Sequence, residues 1–269
     1  MPNTESITLA DGRTLCFGRY GATEGRPVIY LHGAGSSRIE GEVYDEQARA
    51  AGIQVIATDR PGCGGSSPAR GRTYPGYALD LRELADTLGI ERFVVAGVSN
   101  GGVYAMAAAA RLPDRVTAVI PINASTPLHD PVARLATPPR VRLTYALMRH
   151  SVPLTLWMFK RFANRREAHD LVARSAREVT RQPASGYLAE EIRLVSADWG
   201  FDHTAVVQPV EIFTGDRDAG YAYARVWAER LPAGRLHVFP GGHGDFAAPE
   251  VRDRIVATMA SASQVRIPA

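Results

Sequence analysis

Ser99 stands in the run Gly97-Val98-Ser99-Asn100-Gly101, between the β-rich segment RFVVAG and the alanine-rich segment GGVYAMAAAARLP. A serine hydroxyl is a weak nucleophile until a neighbouring base takes its proton. The G-x-S-x-G spacing, when it follows a strand and opens a helix, holds a serine on a strained turn. Glycines on both flanks relieve the crowding of that turn, and the hydroxyl then projects beyond the carboxyl end of the sheet. The helix that follows aims its free N–H groups at the same point, where they favour developing negative charge. The residue types therefore predict acyl-transfer chemistry at Ser99, provided the chain also supplies a base and an acid.

Seven histidines are available. His243, in PGGHGDF, follows the expected strand RLHVF and sits in a glycine loop. From there it can reach a serine just past another strand end, and it is the expected general base. His237 lies inside that strand, and His129, His150, His169 and His203 fall in or beside a helical region. An imidazole base needs a carboxylate to fix its tautomer and to stabilise imidazolium. The segment VEIFTGDRDAG offers two directly after a strand: Asp218, the preferred orienting acid, and Asp216, the alternative.

The elements that must position these groups are legible in outline. SITLADGRTLCFGRYG reads as a hairpin turning at Asp11-Gly12. PVIYLHG, IQVIATD, RFVVAG and VTAVIPIN read as strands, separated by the helical patterns EVYDEQARAAG, YALDLRELADTLG and GGVYAMAAAARLP. From Ser125 to His203 the alternation breaks into Arg-, Leu- and Trp-containing helical stretches cut by prolines. It resumes with PVEIFTG, AYARVWAERLP, RLHVFPGG and PEVRDRIVATMA. Alternating strands and helices imply parallel pairing with right-handed crossovers. The expected architecture is an α/β sandwich formed by residues 1–124 and 204–269, with 125–203 as a helical insertion. The final SQVRIPA is expected to be a loose tail.

Composition excludes several classes. The 269 residues suit one domain with an insertion, and apolar and charged fractions of 45% and 22% are those of a globular protein. No apolar run approaches about 18 residues, so no membrane span is expected. The start, MPNTESITLADG, has no signal-peptide pattern. Cys16 and Cys63 are too few for a disulfide framework and make no metal site by spacing, so a cytoplasmic setting is expected. The formal charge is +3, but Arg134 to Arg193 holds twelve Arg/Lys against five Asp/Glu. No nucleic-acid-binding motif accompanies that excess, and solvated helix faces account for most of it.

The order Ser…Asp…His is that of the α/β-hydrolases, and five segments resemble that superfamily in the correct sequence. YLHGAG resembles its oxyanion loop, TDRPGCGGS its D-x-P-G-x-G-x-S segment, GVSNGG its nucleophile elbow, FTGDRD its acid loop and GGHGDF its histidine loop. The likeness covers the chain outside the insertion. It implies a mostly parallel eight-stranded sheet with helices on both faces and an inserted helical cap. It implies oxyanion donors at the backbone N–H groups of Ala34 and Asn100. His32 and Gly33 would lie on the substrate side of the oxyanion loop as binding residues, with His32 holding the loop in place. Asn100 departs from the Met, Gln or His that many relatives carry after the serine, which leaves the leaving-group side of the pocket in question.

The reaction implied is cleavage of a small carboxylic ester, thioester or lactone, without metal or organic cofactor. Ser99 argues against haloalkane dehalogenases and epoxide hydrolases, which carry Asp at the elbow, and dienelactone hydrolases, which carry Cys. Non-hydrolytic relatives (lyases, carbon–carbon bond hydrolases, natural-product cyclases) use the same His–Asp pair for acid–base work. Proline iminopeptidases use acidic cap residues to hold a substrate amine, whereas this insertion is basic. A small-molecule receptor is a further alternative. Expected pocket-lining residues are Tyr145, Leu147, Trp157, Phe159 and Trp199. Arg38 and the arginine excess favour an anionic or acidic substrate. Monomer and homodimer are both compatible with the sequence.

Overall fold

The computed structural model describes residues 4–151, 153–154, 157, 171–181 and 186–264. Its centre is one eight-stranded sheet. In chain order the strands are β1 (Glu5–Thr8), β2 (Thr14–Gly21), β3 (Arg26–Leu31), β4 (Ile53–Thr58), β5 (Phe93–Val98), β6 (Val116–Ile122), β7 (Val210–Gly215) and β8 (Gly234–Phe239). Across the sheet the order is β1-β2-β4-β3-β5-β6-β7-β8. The hairpin strand β2 pairs antiparallel with both β1 and β4, and every pairing from β4 to β8 is parallel. Gly12 takes φ 83° in the β1–β2 hairpin, but the Leu9 N–H donates to Arg13 O at 2.8 Å and the Gly12 N–H to Leu9 O at 2.9 Å, so the loop is Ala10-Asp11-Gly12 and not a two-residue Asp11-Gly12 turn.

Strands β4, β5 and β6 are buried at every position, as a sheet covered on both faces requires. One face packs against α2 (Tyr74–Thr87), α3 (Asn100–Arg111) and α8 (Tyr221–Arg230), the other against α1 (Asp45–Ala50) and α9 (Pro249–Ala262). The Thr73 side chain caps α2 by accepting from the Gly76 N–H at 3.0 Å. Leu81, Leu84 and Ala85 then give α2 its apolar stripe, all fully buried. Helix α3 is buried from Asn100 to Ala109. Its run of small side chains lets it lie close against the sheet, and so fixes the direction in which its first turn points.

Between β6 and β7 lie α4 (Pro131–Ala136), α5 (Pro139–His150), α6 (Leu171–Arg181) and α7 (Gly186–Ser196). Their attachment to the sheet domain is polar as well as apolar. Ser175 of α6 receives the Ser37 N–H at 2.8 Å and shares a 2.7 Å hydroxyl contact with Ser36. Arg174 pairs with Glu42 at 3.0 Å. Among the described residues no helix is long and apolar enough to cross a membrane.

A second attachment is aromatic. Trp199 is buried and packs edge-on to Tyr74, His129 and His203, with Trp227 and Tyr223 beyond. His203 bonds the Tyr223 hydroxyl at 2.8 Å, and burial pushes its pKa down from 6.5 to about 4. Between those values the unfolded chain binds a proton that the folded chain refuses. The contribution to stability is therefore complete above pH 6.5 and is lost as pH falls towards 4, amounting to about 3 kcal/mol at 1.36 kcal/mol per unit. Urea unfolding at pH 7 and pH 4.5 is expected to show a fall in midpoint that is smaller in His203→Gln than in the unmodified chain.

Candidate active site

Ser99 occupies the single residue between β5 and α3, with φ 55° and ψ −122°. A non-glycine residue in that conformation stores about 1–3 kcal/mol of strain and persists only where its surroundings enforce it. Here they do. The Ser99 N–H donates to Ile122 O at 2.8 Å, and its carbonyl accepts from Gly102 and Ser125, both at 3.1 Å. Gly101 passes so close to Leu31 that a Cβ there would run into the Leu31 carbonyl, and a Cβ on Gly97 would meet the Gly101 backbone. Glycine at both positions is a steric requirement of the turn.

The loops after β7 and β8 bring an acid to an imidazole. His243 Nδ1 lies 2.6 Å from Asp218 Oδ2. The Asp218 side chain is 3% exposed and that of His243 57%, so the carboxylate is sheltered while the ring faces open space. Asp216 has a different partner: its Oδ1 accepts the Gly241 N–H at 2.9 Å and steadies the backbone of the histidine loop. His237 is bonded to Glu211 at 2.6 Å and stacked on Phe213, away from this pair.

Asn123, directly after β6, joins the two halves. Its amide Nδ2 donates to His243 O at 2.9 Å, its Oδ1 accepts from Gly215 N at 2.9 Å, and its own φ is 42°. The neighbouring Ile122 carbonyl is the one that holds Ser99. Ser99 and His243 are thus tethered to consecutive residues at the carboxyl edge of the sheet, where ligands of open α/β sheets bind. Among the described residues no hydrogen bond joins Ser99 Oγ to His243. Catalytic contacts of this kind are often long in an empty site and tighten around substrate.

The loop after β3 carries Ala34. The Gly33 carbonyl accepts from Arg60 Nη2 at 3.1 Å and lies 2.8 Å from His32 Nδ1, while the Gly33 N–H donates to Glu40 at 3.0 Å. In a trans peptide the Gly33 carbonyl and the Ala34 N–H point opposite ways from one plane. Holding the carbonyl therefore sets the direction of that N–H. Among the described residues, neither the Ala34 N–H nor the Asn100 N–H has a protein acceptor. His32 is fully buried; burial, then the Arg60 charge, holds its pKa well below the ordinary value, so it is a neutral ring.

Arg38 is not available to a substrate carboxylate. Its guanidinium is buried against Asp59 at 2.7 Å, with Glu178 at 3.6 Å and Thr4 at 2.8 Å. Tyr145 is partly buried beside Ser125 and Asp218, and burial raises its pKa. Trp199 belongs to the aromatic attachment described above. Trp157 is 57% exposed and Leu147 53%, so neither is enclosed. Phe159 lies outside the described residues. His32, Asp59 and Cys63 place ligand-type atoms within 4.8 Å of one another. Asp59 is already committed to Arg38 and the Gly65 N–H, and the Cys63 thiol donates to Ser36 O. With two guanidinium groups adjacent, the donor set does not suit a cation.

Glu191 of α7 is the largest feature that sequence reasoning missed. It is fully buried and receives Arg60 Nη2 at 3.0 Å, Arg72 Nη2 at 3.2 Å, Tyr104 Oη at 2.9 Å and Asn100 Nδ2 at 2.5 Å. Burial alone would raise its carboxyl; the two guanidinium charges and the Asn100 and Tyr104 bonds hold it below the ordinary range. Nothing in the string AEEIR distinguishes Glu191 from its neighbour Glu190, which is partly exposed.

A family profile described as the α/β-hydrolase fold matches residues 26–205. The chain belongs to that family. An uncharacterised protein of Mycobacterium tuberculosis is 29% identical over 250 residues, covering 84% of this chain and 72% of the relative. An esterase from Exiguobacterium antarcticum is similar in structure, with TM-score 0.76 and 21% identity over 98% of this chain and 100% of the esterase. A bromoperoxidase from Bacillus anthracis gives TM-score 0.77 and 19% identity over 96% of this chain and 99% of its own. These two likenesses are of fold.

Proposed function

We propose that the protein is a serine hydrolase that cleaves a carboxylic ester, thioester or lactone of a small molecule through an acyl-enzyme. The observation that carries this reading is the enforced Ser99 turn, tethered through Ile122 and Asn123 to the loop that bears the His243–Asp218 pair. Ser99 Oγ attacks the carbonyl carbon while His243 Nε2 takes its proton. The charge that develops on the carbonyl oxygen is met by the N–H groups of Ala34 and Asn100. His243 returns the proton to the leaving alcohol or thiol, then takes one from water, which attacks the acyl carbon and frees the acid and Ser99. Asp218 keeps the proton of the neutral ring on Nδ1 throughout. The inserted helices act as the cap over this chemistry, with Tyr145 at its edge.

The iminopeptidase alternative has less support. It needs an acidic cap residue free to hold an amine, and the fully buried acid of the insertion, Glu191, is held by Arg60 and Arg72 instead. A panel of 4-nitrophenyl esters of increasing acyl length tests the proposal. The expected result is turnover with an initial burst of about one nitrophenolate per chain, as accumulation of an acyl-enzyme gives. Stoichiometric labelling of Ser99 without turnover of any ester would instead favour the non-hydrolytic use of the His–Asp pair.

A further inference from the structure

The donors expected at the reacting oxygen, Ala34 and Asn100, come from the loop after β3 and the first turn of α3, which share no backbone hydrogen bond among those described, yet one buried carboxylate reaches both. Glu191 Oε2 accepts from the Asn100 side chain at 2.5 Å. The other end of that side chain, Oδ1, accepts the Tyr74 hydroxyl at 2.7 Å. The Asn100 amide is clamped at both ends, and so therefore is the residue whose main-chain N–H opens α3. The same Glu191 Oε2 accepts Arg60 Nη2 at 3.0 Å, and Arg60 in turn donates to His32 O and Gly33 O. Gly33 O belongs to the peptide plane of the Ala34 N–H. Arg72 completes the arrangement, pairing with Glu191 at 3.2 Å and donating to the Tyr187 carbonyl of α7 at 2.8 Å.

We propose that Glu191, supplied by the inserted helices, is the positioning residue that assembles the oxyanion hole, aligning the Asn100 N–H through the Asn100 side chain and the Ala34 N–H through Arg60. The proposal rests on the serine-hydrolase reading of Ser99. Its consequence is that α7 must be seated before the donors are correctly aimed, so the cap contributes to the acyl-transfer step as well as to substrate binding. A misplacement of about 1 Å at a reacting centre costs up to about 100-fold in rate. Glu191 touches no reacting atom, and its loss should appear in kcat.

The test uses the full chain with Glu191→Gln, Asn100→Ala and the double variant. Glu191→Gln leaves two buried guanidinium groups undercompensated and is the variant at risk of misfolding. Asn100→Ala keeps its own N–H and both ion pairs; it cuts the tie to Glu191 and removes the acceptor of the Tyr74 hydroxyl, a loss that Tyr74→Phe measures separately. Circular-dichroism melts establish that each variant is folded at the assay temperature. The expected result on an aryl ester is a fall in kcat of about 10- to 100-fold in each single variant, with KM little changed. Affinity for a trifluoromethyl ketone, which forms an oxyanion at Ser99, should weaken by the same factor. The double variant should be no worse than the poorer single variant, because the Asn100 tie is one of the two connections that run through Glu191. Folded Asn100→Ala with undiminished kcat, a loss confined to KM, or additive effects would overturn the proposal. Ser99→Ala, run alongside, separates this from failure of the hydrolase reading. If the unmodified chain shows no Ser99-dependent turnover, that reading falls, and the rate of fluorophosphonate labelling at Ser99 decides the positioning role. Equal rates in the unmodified chain and Asn100→Ala overturn it; a slower rate in the variant supports it.

Discussion

Replacing Ser99 by alanine is expected to reduce ester turnover by about 10⁶-fold, the scale on which hydrolases of this type lose activity with their nucleophile. The residual rate should still exceed that in water by about 10³–10⁴, because the amide donors and the pocket remain to stabilise a water-attack transition state. Steady-state kinetics on the best aryl ester, with the variant prepared free of unmodified enzyme, reads both numbers. The same position makes a stability statement. Ser99 is held at φ 55° and ψ −122°, a conformation that glycine adopts without its steric penalty. Ser99→Gly should therefore melt above the unmodified chain while being equally inactive. A variant that is both more stable and inactive would mark Ser99 as a residue kept for chemistry at a cost to the fold.

The second large effect lies at the acid. Asp218→Asn is expected to lower kcat by about 10⁴-fold with little change in KM. The physical cause is the tautomer. His243 Nδ1 sits 2.6 Å from Asp218 Oδ2, so a carboxylate there keeps the ring proton on Nδ1 and leaves Nε2 free to accept from Ser99. An asparagine that turns its amide towards Nδ1 donates instead, moves the ring proton to Nε2 and removes the base. Asp216→Asn is the matched control. Asp216 accepts the Gly241 N–H at 2.9 Å, and the asparagine oxygen can still do so. Its turnover should stay within a factor of a few of the unmodified chain. Reversal of the two results would transfer the orienting role to Asp216.

Why some of this was legible in the sequence and some was not follows from how each feature is encoded. The strands of the sheet, the β1–β2 hairpin and the glycine-flanked serine are local: each needs only the periodicity or sterics of a few adjacent residues. Asp218 was preferred to Asp216 in sequence, but the two stand two residues apart on one loop, and the path of the chain after β8 is what brings Asp218 to the imidazole. The insertion was harder. Trp157 and Trp199 are the same residue type in similar company. One is 57% exposed and the other is buried in an aromatic cluster, because helix packing decides burial and propensity does not. Arg38 was expected to face substrate and is instead neutralised by Asp59, a pairing set by the turn after β3 meeting the end of β4. Glu191 was invisible for the same reason: its five polar contacts come from Arg60, Arg72, Asn100 and Tyr104, none nearer than 87 residues in sequence.

The central claim is that the Ser99 hydroxyl is made nucleophilic by His243. The most direct measurement is peptide mapping of the adduct formed with a fluorophosphonate, together with its rate of formation in the unmodified chain and in His243→Ala. A single adduct on the peptide containing Ser99, formed orders of magnitude more slowly without the imidazole, is the predicted result. An adduct on another residue, or labelling of Ser99 at an unchanged rate in His243→Ala, would contradict it.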